Sequence, residues 1–560
     1  MPSSRIHPSV RKSEQALKSG RMDRRDFLRI ASLLGLSWGL ASVLAGMPSP
    51  AGAQDSRLPF PPADPKAKTG GILRAAMNVG ALRDPALFET VEMSNQTRHM
   101  LEYLAMTGTD NITRPMLAQS WSASNDLKTW DIVLREGILW HNGDELVADH
   151  VVWNIRRWLD PRLGADGLTG LATFAAMRTD RGGVAVETPG AVETVDRYAL
   201  RLTLNAPVLS VMEDFFHYPA AICHPSFAAP LSTDSIGTGP FRIAEMVEGE
   251  VCILTRVRQT GDGRPFEYWG GEVYLDEIHY YHAAPGDGLA AYGAGDVDFV
   301  HEIGRGQIAE AKALDATVHP GRTARTLVCR MQTSQAPFDD IRIRQAVVKS
   351  VDNGAVKAKI FPEGGDVAEN YHVAPIHPDY FKLPAPARDI EGARKLLEDA
   401  GHPFGLDLSI LVADVEDGWQ VAVCEVLREQ MGEAGIRLSL TVLPGDDFRD
   451  LSAKAAFAAI FWPHLPLGTM ALSQAYRTGA PRNDTHFADP GFDEALDLAE
   501  STLDMDRRRA RMQKVERILQ DSYLMVQPLH CPIYAAASTR IRGFSTHPVQ
   551  CHQFNRVWID

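Results

Sequence analysis

Eighteen histidines and six cysteines give this 560-residue chain the donor atoms for metal or nucleophilic chemistry, so their spacing decides what they can do. A zinc hydrolase needs two histidines one helical turn apart with a glutamate between them, and no His-Glu-x-x-His run occurs. His372 and His377 fall outside the i, i+4 spacing that puts two rings on one helix face. Cys223, Cys252, Cys329, Cys424, Cys531 and Cys551 form no Cys-x-x-Cys pair, and the sequence does not choose among their disulfide pairings. Gly35-Leu36-Ser37-Trp38-Gly39 fits the G-x-S-x-G elbow of serine hydrolases but lies inside an uncharged apolar run. Ile236-Gly237-Thr238-Gly239-Pro240-Phe241 has the glycines of a phosphate cradle without the Gly-Lys-Ser/Thr of a P-loop, and reads as a structural turn. No nucleophile with a base and no metal triad emerges, so an enzyme is the minor alternative. Binding chemistry remains: Phe461-Trp462 could form a stacking wall, and Arg477 could hold a carboxylate bidentately.

The elements that must position such groups are best marked between Ala118 and Pro161. Trp130, Ile132 and Leu134 alternate with Thr129, Asp131 and Val133, the period of a half-buried strand. Arg135-Glu136-Gly137 turns, Ile138-Leu139-Trp140 is a short apolar run, and Asn142-Gly143 is a strong turn signal. Val151, Val152, Ile155, Trp158 and Leu159 then share a helical face that Asp160-Pro161 ends. The order Asp126, Thr129-Trp130, Ile132, Leu134, Arg135-Glu136-Gly137, a Trp-His-Asn-Gly turn and a helix closing on Asp-Pro resembles the signature of bacterial extracellular solute-binding proteins. The class is that of the oligopeptide, dipeptide and nickel receptors that feed ABC importers. The Gly237-Thr238-Gly239-Pro240-Phe241 turn, Tyr268-Trp269-Gly270-Gly271, Tyr274 to Ile278 and Ala291 to Asp298 resemble the same family.

Residues 1–53 read as an export leader. Arg24-Arg25-Asp26-Phe27-Leu28-Arg29 has the twin-arginine pattern, and Ile30 to Ala45 carries no charge. That run is shorter than the about 20 apolar residues a membrane span needs. Ala51-Gly52-Ala53 offers small residues for cleavage, and the first cysteine is Cys223, so no lipid anchor is expected there. A soluble periplasmic protein exported by the twin-arginine translocase follows. Without the leader the formal net charge moves from −14 to −19, which disfavours nucleic acid and anionic membrane surfaces as partners.

The remaining length suffices for two or three lobes with full cores. Residues 54–69 read as a Pro-rich linker. Lobe I is expected from 70–105, 234–283 and 528–560, with an inserted subdomain at 106–233, and lobe II from 284–527. Asp340 opens a helix near its positive end, Asp389 caps a second that Gly401 ends, Gly435 closes a third over 419–434, and Ile436, Leu438, Leu440 and Val442 alternate as a strand. Long helices are expected over 492–523. Helix, glycine and strand in repetition argue an α/β lobe with a mostly parallel sheet. The resemblance implies a two-lobed type II periplasmic binding protein fold with an additional inserted subdomain, acting as a monomer that closes on a small solute and meets the importer's permease subunits. It implies no catalytic residue and no cofactor, with a metal- or haem-carrying protein of the same fold as the other alternative.

The resemblance also directs attention to a second-lobe segment of the form W-x-A-D-Y-P-D-P, whose aspartate holds a peptide's ammonium in relatives. Here it reads Phe461-Trp462-Pro463-His464-Leu465-Pro466-Leu467-Gly468, so His464 replaces the acid. A neutral imidazole does not supply the charge a buried ammonium requires. The ligand is therefore expected to be peptide-like or another small organic solute lacking an exposed α-ammonium. By the same resemblance Asp84, Tyr371, His372, Arg477 and Asn483 lie on loops that approach the ligand.

Overall fold

The computed structural model describes residues 8–19, 21–33, 60, 62–284, 286–502 and 504–560. The chain divides into two compact units, one comprising Met1–Ile303, Gln307–His319 and Ala535–Asp560, the other Gly304–Gly306 and Pro320–Tyr534.

In the first unit a seven-stranded sheet runs in the order Phe241–Val247, Val251–Arg256, Glu277–His282, Ile72–Met77, Phe299–Val300, Ile533–Ser538, Ala316–Gly321. Ile72–Met77 is parallel to both of its neighbours. The same unit holds a separate antiparallel sheet of Ala118–Ala123, Thr129–Leu134, Ala199–Thr203 and Val192–Asp196. Trp130, Ile132 and Leu134 are buried there as their alternation requires, and helix Ala148–Leu159 buries Val151, Val152, Ile155, Trp158 and Leu159. The run Ile138–Trp140 forms no full strand. Its Leu139 makes one antiparallel bridge to Glu145 around the Asn142-Gly143 turn.

His141 from that turn joins it to the Gly237–Pro240 turn. Its Nδ1 accepts from Gly237 N at 3.2 Å and its Nε2 donates to Gly239 O at 2.8 Å. A Cβ on Gly237 would lie 2.0 Å from Met100 O, and one on Gly239 2.4 Å from His99 O, so both glycines exist to let two backbones touch.

The twin-arginine pair opens helix Arg24–Leu33, whose Phe27, Leu28, Ile30 and Ala31 are buried while Arg29 donates to Asp110 O at 3.2 Å. The Ser37 elbow, the rest of the apolar run, Ala51-Gly52-Ala53 and positions 54–59 lie outside the described residues. Among the described residues no helix is long and apolar enough to cross a membrane.

The second unit is built on the order Asp366–Val367, Leu529–His530, Thr326–Met331, Phe457–Trp462, Leu406–Ala413, Ile436–Leu443, with Met525–Val526 also paired to Thr326–Met331. Helices Ile341–Lys349, Ile390–Asp399, Trp419–Glu433, Pro490–Glu500 and Met505–Ser522 stand where caps and periodicity place them, with Asp340 and Asp389 accepting amide hydrogens at their N-termini.

Two expectations need correction. The sheet of this unit is mixed: Leu406–Ala413 is parallel to both neighbours, but Phe457–Trp462 runs antiparallel to Thr326–Met331. The unit boundaries fall near 303–320 and 534 rather than at 284 and 527. Phe299–Val300 hydrogen-bonds to Ile72–Met77, and Leu529–His530 to Asp366–Val367, so each short strand belongs with its ladder partner. Sequence periodicity carries no information about such partners.

Candidate functional site

Ligands of α/β sheets collect at the carboxyl ends of strands, where loops rather than ladder partners meet solvent. In the second unit that end of strand Phe457–Trp462 gathers Tyr371, His372 and His464. Thr326 pairs with Trp462 and Leu327 with Phe461 in the ladder. Alternation therefore sends Phe461 to one face, against the core of Leu327 and Trp419, and Trp462 to the other, against Val328, Tyr371 and Tyr476. The two aromatics do not form one wall.

Each ring carries an arginine. Arg325 Cζ lies 5.1 Å from the Phe461 centroid, and Arg482 Cζ lies 4.5 Å from that of Trp462. The Trp462 indole is only 5% exposed, while Arg482 itself is exposed. His372 meets the same indole edge-on at 5.0 Å. Arg482 was not legible as a site residue. Its one sequence signal is its place beside Asn483 in the loop that also holds Arg477.

The loop Glu369–His372 is strained and clamped. Asn370 and His372 have φ of 62° and 71°, left-handed values that cost a non-glycine residue about 1–3 kcal/mol each. Gln527 holds both ends: its Oε1 accepts from His372 N and its N donates to Asn370 Oδ1, each at 2.8 Å. Its Nε2 donates to Thr326 Oγ1 at 3.0 Å, tying the loop to the strand beneath. With the Tyr476 hydroxyl directed at Met525 Sδ, its oxygen accepts from His372 Nδ1 at 3.0 Å. Burial, and next the neighbouring His530, hold the His372 imidazole well below its ordinary pKa, so it is neutral. Tyr371 is fully buried with its hydroxyl donating to Glu369 Oε2 at 2.7 Å, which makes it a support for the loop.

His464 is buried two residues beyond the strand. Its Nδ1 accepts the amide hydrogen of Ala324 at 2.9 Å, which requires a lone pair there and fixes a neutral ring. His377 is fixed likewise, accepting from Ala374 N at 3.0 Å and donating to Leu465 O at 2.9 Å. Asp379 is buried and receives Gly468 N and Thr469 N at 3.1 and 3.3 Å, at the start of helix Gly468–Ala475. The place therefore offers neutral imidazoles and an engaged carboxylate.

The other residues expected at the site are engaged elsewhere. Arg477 pairs with Asp497 Oδ1 at 2.5 Å and Glu500 Oε2 at 2.6 Å on helix Pro490–Glu500. Asn483 is buried and gives its amide to Phe487 O at 2.8 Å and Arg477 O at 3.1 Å, while its oxygen accepts from Thr485 Oγ1 at 2.7 Å. Both close the 476–487 loop. Asp84, in the first unit, caps the turn Pro85–Leu87 through Ala86 N at 3.0 Å and forms an ion pair with Arg157. Among the described residues no group of three or more His, Cys, Asp or Glu side chains is placed to hold a metal ion.

Residues 113–483 match the family model of bacterial extracellular solute-binding proteins, family 5. The periplasmic oligopeptide-binding protein OppA of Haemophilus influenzae is 25% identical over 509 residues, covering 84% of this chain and 90% of that protein. Among solved structures, the ABC transporter substrate-binding protein CtaP of Listeria monocytogenes is similar with TM-score 0.74 and 18% identity, over 88% of this chain and 100% of that one. PBP AgaA of A. tumefaciens R10, in complex with agropinic acid, gives 0.67 and 20% over 88% of this chain and 99% of that one. At these identities the structures establish the fold, the two-lobed type II periplasmic binding protein fold with both helices and sheets. With about two thirds of its length inside the family model, the chain belongs to the bacterial extracellular solute-binding proteins of family 5.

Proposed function

We propose that this chain is the periplasmic receptor that captures a small organic solute for an ABC importer, and that the solute presents no exposed α-ammonium. The family match over residues 113–483 carries the first part, with relatives such as OppA named as periplasmic binding proteins. His464 carries the second: where peptide-binding relatives are expected to place an acid, this chain has a neutral imidazole bonded to Ala324 N. Burying an ammonium there without an anion would cost several kcal/mol.

The test is to denature protein purified from the periplasm, identify the released solute by mass spectrometry, and return it to ligand-free protein. At 100 times its dissociation constant the solute should stabilise the fold by about 2.7 kcal/mol. In a chain this long that reads as a shift of a few degrees or less in melting temperature. A screen containing the true solute with no such shift, or turnover of the solute, would remove the receptor reading. Tight binding of ordinary dipeptides would remove its second half.

For export we assign the twin-arginine route, on Arg24-Arg25-Asp26-Phe27-Leu28-Arg29 ahead of the uncharged run. Replacing Arg24 and Arg25 together by Lys should leave precursor in the cytoplasm, and the wild-type mature chain should begin at Gln54. Periplasmic delivery of the double variant at the normal level would refute it.

A further inference from the structure

We infer that Arg482 is the anion-binding residue of this receptor, and that the solute it takes carries a carboxylate. This rests on the receptor reading and deepens it.

The guanidinium lies 4.5 Å from the centroid of Trp462, the last residue of its strand, at the sheet end where α/β proteins bind ligands. The indole beneath is almost wholly buried and is held edge-on by His372, so it forms a fixed platform. Stacking on that platform orients a planar fork of donors in advance of the ligand, and less freedom is lost on binding.

Charge at this position is unbalanced. Among the described residues Arg482 has no ion pair and no side-chain hydrogen bond, whereas Arg477, five positions earlier, is held by two carboxylates. Asp484, two positions on, exerts its influence on Arg330. Facing Trp462 and His464 are neutral imidazoles, His372 and His377. Asp379 is occupied by the amides of helix Gly468–Ala475. Glu369 receives the hydroxyls of Tyr371 and Tyr380 at 2.7 and 3.0 Å.

One exposed fork on a buried ring, with no carboxylate bonded to it, matches one monoanionic carboxylate bound side by side through two N–H groups. A phosphate dianion would leave a charge uncompensated.

Three probes with one ring and different charge test this: benzoate, benzamide and benzylamine, each titrated calorimetrically into ligand-free full-length mature protein. Benzoate should bind, and the neutral and cationic probes should bind at least about tenfold more weakly. In Arg482→Gln benzoate affinity should fall about tenfold or more, and in Arg482→Lys by less, because the charge remains and the fork does not. Arg482 is exposed, so an unchanged melting temperature is the check that the variants fold.

Equal benzoate affinity in wild type and Arg482→Gln, or no benzoate binding at tens of millimolar, overturns the inference. Inorganic phosphate binding more tightly than benzoate in an Arg482-dependent way overturns the carboxylate assignment. The solute released from the purified protein separates this inference from the reading beneath it. A neutral or cationic solute that binds tightly overturns the role of Arg482 and leaves the receptor standing. A carboxylic acid lost in Arg482→Gln supports both.

Discussion

Arg477 and Arg482 sit in one short loop, and the fold gives them opposite tasks. Arg477 bridges Asp497 and Glu500 and is largely covered, while burial holds the Glu500 carboxyl above its usual range. Arg477→Gln would leave that acid without its cation. The expected loss is about 1–2 kcal/mol of stability, reduced from the cost of a fully buried pair by partial solvent access, with solute affinity unchanged. Urea unfolding beside calorimetry checks both halves, and a variant of normal stability that no longer binds would return Arg477 to the binding surface. The sequence shows two arginines in a turn. Which one is neutralised depends on a helix that starts at Pro490, and so could not be read locally. His464 is the converse case. Its identity was visible in the motif, but its bond to Ala324, 140 positions earlier, was not. His464→Asp would put a carboxylate into the buried position that takes the amide of Ala324. We expect a loss of about 1–3 kcal/mol in stability and weaker binding of any acidic solute, read by melting and calorimetry together.

Elements marked by local chemistry were legible. The alternation of Trp130, Ile132 and Leu134, the face of helix Ala148–Leu159, the capping by Asp389 and the strand Ile436–Leu443 all follow from spacing within a dozen residues. Pairing was less so. Nothing in Phe299–Val300 announces that it completes the sheet of Ile72–Met77, and nothing in Phe457–Trp462 announces an antiparallel neighbour at Thr326–Met331. Face alternation was available in principle, because period 2 already separates Phe461 from Trp462. The turn at Gly237–Pro240 shows how two motifs found separately depend on each other. His141 spans it through Gly237 N and Gly239 O. Gly237→Ala would push a methyl to within 2.0 Å of the Met100 carbonyl, backbone that cannot swing aside. It should cost about 1–3 kcal/mol or more, and Gly306→Ala, where a Cβ meets nothing within 4 Å, should cost less than about 1 kcal/mol. Equal stability of the two variants in urea would show that the turn can move away from the 99–100 backbone.

At the scale of the whole molecule, burial sets the charge of several histidines. Burial pushes His99 down to about 3, and His141, His217, His530 and His547 each down to about 4, from an ordinary 6.5. In the unfolded chain each protonates near 6.5. Between pH 6.5 and about 4 the unfolded state therefore holds protons that the folded state refuses, and stability falls as pH falls, by up to about 1.4 kcal/mol per pH unit for each ring. Buried acids act the other way. Burial raises Glu102 and Asp214 to about 6, so below that pH the folded state holds their protons while the unfolded state has not yet taken them up, and acidification favours folding through them until about pH 4. Burial places Glu516 on the same side. The histidines outnumber these acids, and His372 and His552 are also held well below their ordinary range. The midpoint of thermal unfolding should therefore drop on going from pH 7 to pH 5, with the imidazoles of His141, His217, His530 and His547 still neutral in nitrogen-15 spectra of the folded protein. An unfolding midpoint that held steady or rose over that interval, or imidazole signals that titrated near 6.5, would mean that water reaches these rings and that burial does not set their charge.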